Sequence, residues 1–325
     1  GYRDGYRDSW RDRERDREDR EESGLMRKAL LQGEAVYGVF PVRNALLAKR
    51  RTPHTLYVLA SLDLARRKDA ASVRDVFFAA EAAGVPLAKV TRHELNLMAG
   101  DRPHQGLVLD ATPLSWAATD WQFPPAEEVV AGQAEGQAPP VWVALDEVVD
   151  PQNFGAILRS AWCLGCAGVV VASKNCAPLT PAVSKASAGA AEVAPVHAAK
   201  SMQRTLQDAV AKGWAVLGAA GEASAADART IKVDRPTILV MGNEGAGLRT
   251  NVRRACTGLV RVEMGGGFGG AGMGGAAAAA AAAATAAATP GAAEADADAD
   301  AGGAKRMRGG NSQPGVDSLN VSVAT

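Results

Sequence analysis

Residues 141–172 pass from an apolar, β-branched run through a polar break into apolar residues at helical spacing, and end in a second apolar run. Val141–Leu145 reads as a buried strand. Residues 146–153 bring acids, Pro151 and an amide, which predicts a polar loop. The spacing of Ile157, Leu158, Ala161 and Trp162 predicts a helix over 155–164, and 169–172 predicts a second buried strand. Strand, loop, helix and strand in that order form a unit whose ligands gather beyond the end of the first strand. Asn153, in the loop, and Arg159, in the early helix, are both expected to face that mouth. An arginine among so many apolar neighbours suits a bound phosphate or carboxylate. The alternative is a scaffold pair with Asp146 or Asp150.

A chain of 325 residues accommodates two ordinary domains. Its 36 basic and 36 acidic residues cancel, so overall charge announces no nucleic-acid partner, although a basic face on one side stays compatible with one. Four cysteines (Cys163, Cys166, Cys176 and Cys256) are too few for a disulfide framework and point to a reducing compartment. The poly-alanine run at 276–284 is too short and too weakly apolar to cross a bilayer, so no membrane partner is expected. With no opening Met and an apolar pattern cut at Thr325, the sequence reads as a piece of a longer chain, in which a targeting peptide would be invisible.

The Arg-Asp alternation of the first residues has almost nothing to bury, and residues 1–30 are expected as a disordered charged tail. Residues 31–113 alternate strands (35–40, 55–60, 86–90, 106–110) with helices (beginning near Pro41, then 73–83 and 92–99), the pattern of a small α/β domain. The Pro, Ala, Gly and Gln content of 114–140 predicts a linker. A second α/β domain is expected over 141–325. Its later helices are predicted at 180–191, 201–212 and 248–256, and its later strands at 193–196, 214–218, 237–241 and 259–264. Residues 265–314 are Gly-rich, poly-Ala and Ala-Asp sequence that cannot pack, and they read as an insert.

Two further stretches carry chemistry. An apolar strand runs into Gly242, Gly245 and Gly247 with Glu244 inside the turn, and such glycines let backbone amides approach a ligand. Their spacing is not the dinucleotide fingerprint G-x-G-x-x-G, which disfavours a nucleotide-dependent oxidoreductase. Across the insert, residues 260–264 rejoin Ser318, Leu319 and Asn320, where the serine and asparagine either cap a helix or orient a substrate hydroxyl.

In this order the motifs D-P-x-N-x-G-A-x-x-R (150–159), M-G-N-E-G-x-G-L (241–248), R-V-x-M (261–264) and S-L-N-V-S-V-A (318–324) resemble the SpoU (TrmH-type) family of the SPOUT methyltransferases. Residues 37–46 and 102–106 resemble the ribosomal-protein-L30e-like substrate-binding domain found in the branch of that family acting on large-subunit rRNA. The resemblance implies an α/β SPOUT domain with a trefoil knot, preceded by an L30e-like α/β domain, and a homodimer that completes the active site. It implies transfer of a methyl group from S-adenosylmethionine to the 2′-hydroxyl of a guanosine in large-subunit rRNA. By motif position, Met241, Gly242, Val262, Met264 and Leu319 would line the cofactor pocket. Arg159 would be the central catalytic residue, with Asn153, Glu244, Ser318 and Asn320 around it. The low-complexity insert suggests a nuclear-encoded eukaryotic protein, so the mitochondrion is the expected location, with the plastid second. Alternative readings are a tRNA 2′-O-methyltransferase and a catalytically silent RNA-binding or ribosome-assembly factor. The insert departs from the family pattern, which has only a few residues there.

The remaining candidates read as structural. Cys163 and Cys166 form a C-x-x-C within an apolar helix, without a second pair at zinc spacing, so no metal is expected and buried thiols are. His104, in the R-P-H-Q-G stretch, is expected to close the first domain. Lys174 and Lys185 either touch phosphate or, as the preferred reading, are solvated.

Overall fold

Alternating strands and helices close the first α/β region into a four-stranded sheet in the computed structural model, which describes residues 31–222 and 224–262. The tail at 1–30, residues 265–314, and Met264, Ser318, Leu319 and Asn320 lie outside the described residues, as does the segment that would thread a knot.

Contacts divide the chain into two units. One comprises the chain up to Thr119 together with Val149–Trp162 and Ala177–Ala198; the other comprises Asp120–Val148, Cys163–Cys176 and the chain from Ala199 onward. In the first unit, β1 (Glu34–Tyr37) and β2 (Pro53–Leu59) run antiparallel to β4 (Leu107–Ala111), and β3 (Leu87–Val90) runs parallel to β2. Alternation along the strands sends side chains to opposite faces. Val36, Leu56, Val58, Leu107 and Leu109 pack with Val39, Val42 and Leu46 of α1 (Val39–Ala48) and Val73 and Val76 of α2 (Ala70–Ala82). Ala35, Tyr37 and Val108 pack with Leu95 and Met98 of α3 (Arg92–Ala99). The α3 bounds are those the sequence predicts, because Thr91 and Glu94 form a reciprocal capping box and Gly100, at φ 62°, stops the last turn.

Loop chemistry explains the departures from expectation. The helix anticipated from residue 155 begins four residues earlier, as α5 (Pro151–Cys163). The Asp150 carboxylate accepts hydrogen bonds from the Gln152 and Asn153 amides (3.1 and 3.3 Å), so Asp-Pro starts a helix here, with proline in its first turn. Asn153 therefore lies on the helix and not in the loop. Cys166 lies beyond the helix end, past Gly165 at φ 74°, and both Cys163 and Cys166 are half-buried free thiols where buried ones were expected. The helix expected over 180–191 is broken into α6 (Pro181–Ala186) and α7 (Ala190–Val193). Between them Gly189 adopts φ 84°, and a Cβ there would stand 2.8 Å from the Phe40 carbonyl oxygen.

The 114–140 segment is not a plain linker. It carries β5 (Ala118–Thr119) and α4 (Ala126–Ala131), and Phe123 is fully buried. Trp121 stacks on Trp142 at 5.2 Å, and Phe123 packs against Trp214 at 4.9 Å. Proline and glutamine dominate the composition, but two aromatic anchors decide the packing.

In the second unit, β6 (Val141–Leu145), β7 (Gly168–Ala172), β9 (Ala215–Ala219), β10 (Ala226–Asp227), β11 (Thr237–Met241) and β12 (Gly258–Arg261) form a parallel array in the order β10-β12-β9-β11-β6-β7. Parallel strands place all their carboxyl ends at one edge of the sheet. One face is covered by α8 (Met202–Ala211) and α9 (Thr250–Ala255), whose Met202, Leu206, Ala209 and Val252 join Val170, Val216, Ile238 and Val240 in the core. In the first unit, β8 (Val196–Ala199) pairs in parallel with β5.

The first unit also buries charge. The Arg51 and Glu192 side chains are 1% and 0% exposed and meet through two hydrogen bonds of 2.9 and 3.2 Å. The remaining Arg51 nitrogen donates to Glu34 and to the Thr112 carbonyl. Arg50 donates to the carbonyls of Ala191, Glu192 and Ala194, closing the end of α7. Removing one member of a buried pair strands the other. Glu192→Ala is expected to cost about 3–5 kcal/mol in denaturant unfolding. A loss below ~1 kcal/mol would show that Arg51 is satisfied without it.

Candidate active site at the carboxyl edge of the sheet

The central pair of the array is β6 and β11, in register from Val141–Thr237 to Leu145–Met241. The backbone amide of Asp146, the residue after β6, donates to the Met241 carbonyl at 2.9 Å. The buried Asp146 carboxylate accepts from Nε and Nη2 of Arg249 at 2.8 and 2.5 Å. Arg249 lies just beyond the glycine-rich turn that follows β11, so one buried acid ties both ends of that turn to the end of β6.

The turn itself is closed. The Asn243 and Gly247 amides donate to each other's carbonyls (3.0 and 2.8 Å). The Asn243 side-chain oxygen accepts from the Gly245 and Ala246 amides, and its amide nitrogen donates to the Glu147 carbonyl at 3.3 Å. Four of the amides expected to be open to a ligand are thus used within the turn. Its glycines have different reasons. A Cβ on Gly242 would lie 2.3 Å from the Gly247 carbonyl oxygen, and Gly247 adopts φ 69°; at Gly245 the nearest atom would be 3.6 Å away. Only the first two positions demand glycine.

Met241 closes β11, half-buried, and Gly242 follows it. Glu244 is exposed at the tip of the turn. Val262 lies just past β12 and is 71% exposed, a large apolar side chain presented at the same edge. These four residues share one end of the second unit.

Asn153 and Arg159 belong to the first unit, on α5, in its first and third turns. Six residues apart on a helix, they are separated by about 120° around the axis and about 9 Å along it. Arg159 is half-buried with its Nε out of solvent. Asp146 pairs with Arg249, and Asp150 accepts from the first amides of α5. Gly155, in the same motif, lets α5 approach closely, since a Cβ there would stand 2.4 Å from Cβ of Ala186.

Sequence reasoning missed Asp146, Arg249 and Asn243 as the residues that build the turn. Only Asn243 carried a local signal, an asparagine two residues before a glycine, which favours a side-chain-closed turn. His104 is buried and neutral. Its Nδ1 accepts from the Gly106 amide at 3.0 Å, which leaves Nε2 to donate to Asn96. Burial lowers its proton affinity further. Lys185 is not simply solvated: it donates to Gln105 at 2.8 Å, and burial lowers its pKa. Among the described residues, no group of three or more His, Cys, Asp or Glu is placed to hold a metal, and no helix is long and apolar enough to cross a membrane.

Residues 140–270 match the model of the SpoU rRNA Methylase family, and residues 35–117 match that of the RNA 2′-O ribose methyltransferase substrate-binding domain. The human protein "rRNA methyltransferase 1, mitochondrial" is 35% identical over 239 residues, covering 70% of this chain and 65% of the relative. This chain thus spans just under two thirds of the human protein. The "23S rRNA (guanosine-2′-O-)-methyltransferase RlmB" of Pseudomonas syringae is 35% identical over 237 residues, covering 72% of this chain and 88% of the relative. The fold is shared with an AdoMet-bound rRNA methyltransferase from Sinorhizobium meliloti, at a TM-score of 0.53 and 23% identity, over 76% of this chain and 83% of that one. On these matches, the chain belongs to the SpoU rRNA Methylase family.

Proposed function

We propose that this chain methylates the ribose 2′-hydroxyl of a guanosine in large-subunit rRNA, using S-adenosylmethionine, and that it does so as a homodimer in the mitochondrion. The observation that carries the reading is the closed glycine turn at the carboxyl edge of a parallel sheet, in a chain similar to proteins named for this reaction. The mitochondrial location is supported by the human relative's name.

The residues present fit the cofactor. A side chain at position 242 would collide with the turn's own Gly247 carbonyl, so glycine there keeps the turn closed, and Met241 and Val262 offer apolar surface for a flat heterocycle. Met264 and Leu319 would complete that wall. When bound, S-adenosylmethionine supplies a methyl group already activated by its sulfonium.

The chain's own task is then to position and desolvate the attacking oxygen. A ribose hydroxyl is a weak nucleophile at neutral pH and must give up its proton as it attacks. Arg159 would grip the phosphate beside the target ribose. A guanidinium stays protonated, so this positioning role suits it better than that of a base. Asn153, Ser318 and Asn320 would hold the ribose, with Glu244 anchoring the turn or the substrate.

Full-length protein incubated with large-subunit rRNA and methyl-labelled S-adenosylmethionine is expected to label a guanosine ribose, and Arg159→Ala to slow labelling by about a hundredfold. Absence of ribose label, with Arg159→Ala behaving as wild type, would end this reading. Binding of rRNA without transfer would identify a silent assembly factor, and label confined to tRNA would reassign the substrate. By calorimetry, Gly242→Ala is expected to abolish cofactor binding while the more tolerant Gly245→Ala retains it. Equal binding by both variants would remove the turn from the cofactor site.

A further inference from the structure

The second unit holds a cleft of about 330 Å³ at the same carboxyl edge, past the end of β7 and beside Arg249. Its wall carries Lys174, Lys200 and Arg249 with the neutral side chains of Asn175, Gln203 and Asn251, and no aspartate or glutamate lines it. Acids do stand behind this wall, Asp146 and Glu147 beside Arg249 and Asp120 beside Lys200, but the surface that faces the cleft presents only basic and neutral groups. We infer that this cleft binds consecutive phosphodiesters of the RNA backbone, apart from the reacting nucleotide.

The three cations are prepared to different degrees. Arg249 is 45% exposed, and the buried Asp146 holds its Nε and Nη2. Its Nη1 makes no hydrogen bond among the described residues, so a guanidinium already fixed in place keeps both Nη1 hydrogens for an incoming oxygen. Lys174 is exposed and has no ion-pair or hydrogen-bond partner among the described residues. Lys200 pairs with Asp120 at 2.7 Å, but with side chains 74% and 48% exposed such a pair is weak and readily exchanged for a phosphate.

The lining also argues for backbone over base. It contains no aromatic ring on which a base could stack, and its apolar members Met202 and Val252 are buried in the core. Phosphate contacts position a nucleic acid without reading its sequence. The three cations are spread along the cleft wall, which suits successive diesters of one charge each.

The inference rests on the chain acting on RNA, and its test separates the two. Anisotropy with a large-subunit rRNA fragment, on the full chain at ~50 to ~200 mM salt, compares wild type with the Lys174→Ala/Lys200→Ala double variant. The variant is expected to bind at least about tenfold more weakly, with a salt slope shallower by about one per lysine. Calorimetry should give it unchanged S-adenosylmethionine binding, and Lys174→Arg/Lys200→Arg should restore RNA affinity. An affinity and slope equal to wild type, in a chain that still methylates rRNA, would overturn the cleft and leave the proposed reaction standing. Loss of RNA affinity in the variant, with a wild type that binds rRNA and transfers no methyl group, would support the cleft and overturn the reaction. Displacement of the RNA by a few millimolar inorganic phosphate would overturn the assignment to RNA in favour of a small-anion site.

Discussion

A single buried carboxylate governs the carboxyl edge of the parallel sheet. Asp146 leaves the end of β6, donates its backbone amide to Met241 at the end of β11, and accepts two hydrogen bonds from Arg249. A charge buried this far survives only with a partner. Arg249 supplies that partner from beyond the turn, so the turn between Met241 and Arg249 is bounded at both ends by one residue. Its interior then closes on itself through Asn243 and Gly247, which requires glycine at positions 242 and 247. The hydrogen bonds that Arg249 donates to the Asp146 carboxylate raise its already high pKa, so this cation in the cleft wall is permanent.

The two units use arginine in contrasting ways. Arg51 spends all three of its nitrogens on Glu192, Glu34 and a carbonyl, deep inside the first unit, and contributes only to holding that unit together. Arg249 spends two and leaves one at a half-exposed surface. The difference follows from which donors the fold has already satisfied, since both are charged and both pair with a buried acid.

Much of this was legible in the residues. Thr91, Glu94 and Gly100 delimit a helix by local chemistry alone, and the β-branched runs Val141–Leu145 and Thr237–Met241 give their strands without shift. Three kinds of information were not legible. Asp150 before Pro151 was read as loop because acids and proline suggest a break, although together they cap and open α5. The break between α6 and α7 depends on Gly189 meeting Phe40, far away in sequence. Trp121 and Phe123 were masked by the Pro- and Gln-rich residues around them. For the site, glycine spacing marked the turn, but nothing local linked Asp146 to Arg249 across 103 residues, or showed that the turn's amides satisfy one another.

Amide hydrogen exchange at Asn243 and Gly247, compared between wild type and Asp146→Asn, tests most directly whether this carboxylate holds the edge together. Loss of the charge should speed exchange at those two amides by about tenfold or more, the factor that ~1.4 kcal/mol of local stability represents, while the core amides of β9 stay protected. Equal protection of the turn in both proteins would show that it closes without Asp146 and would contradict this account.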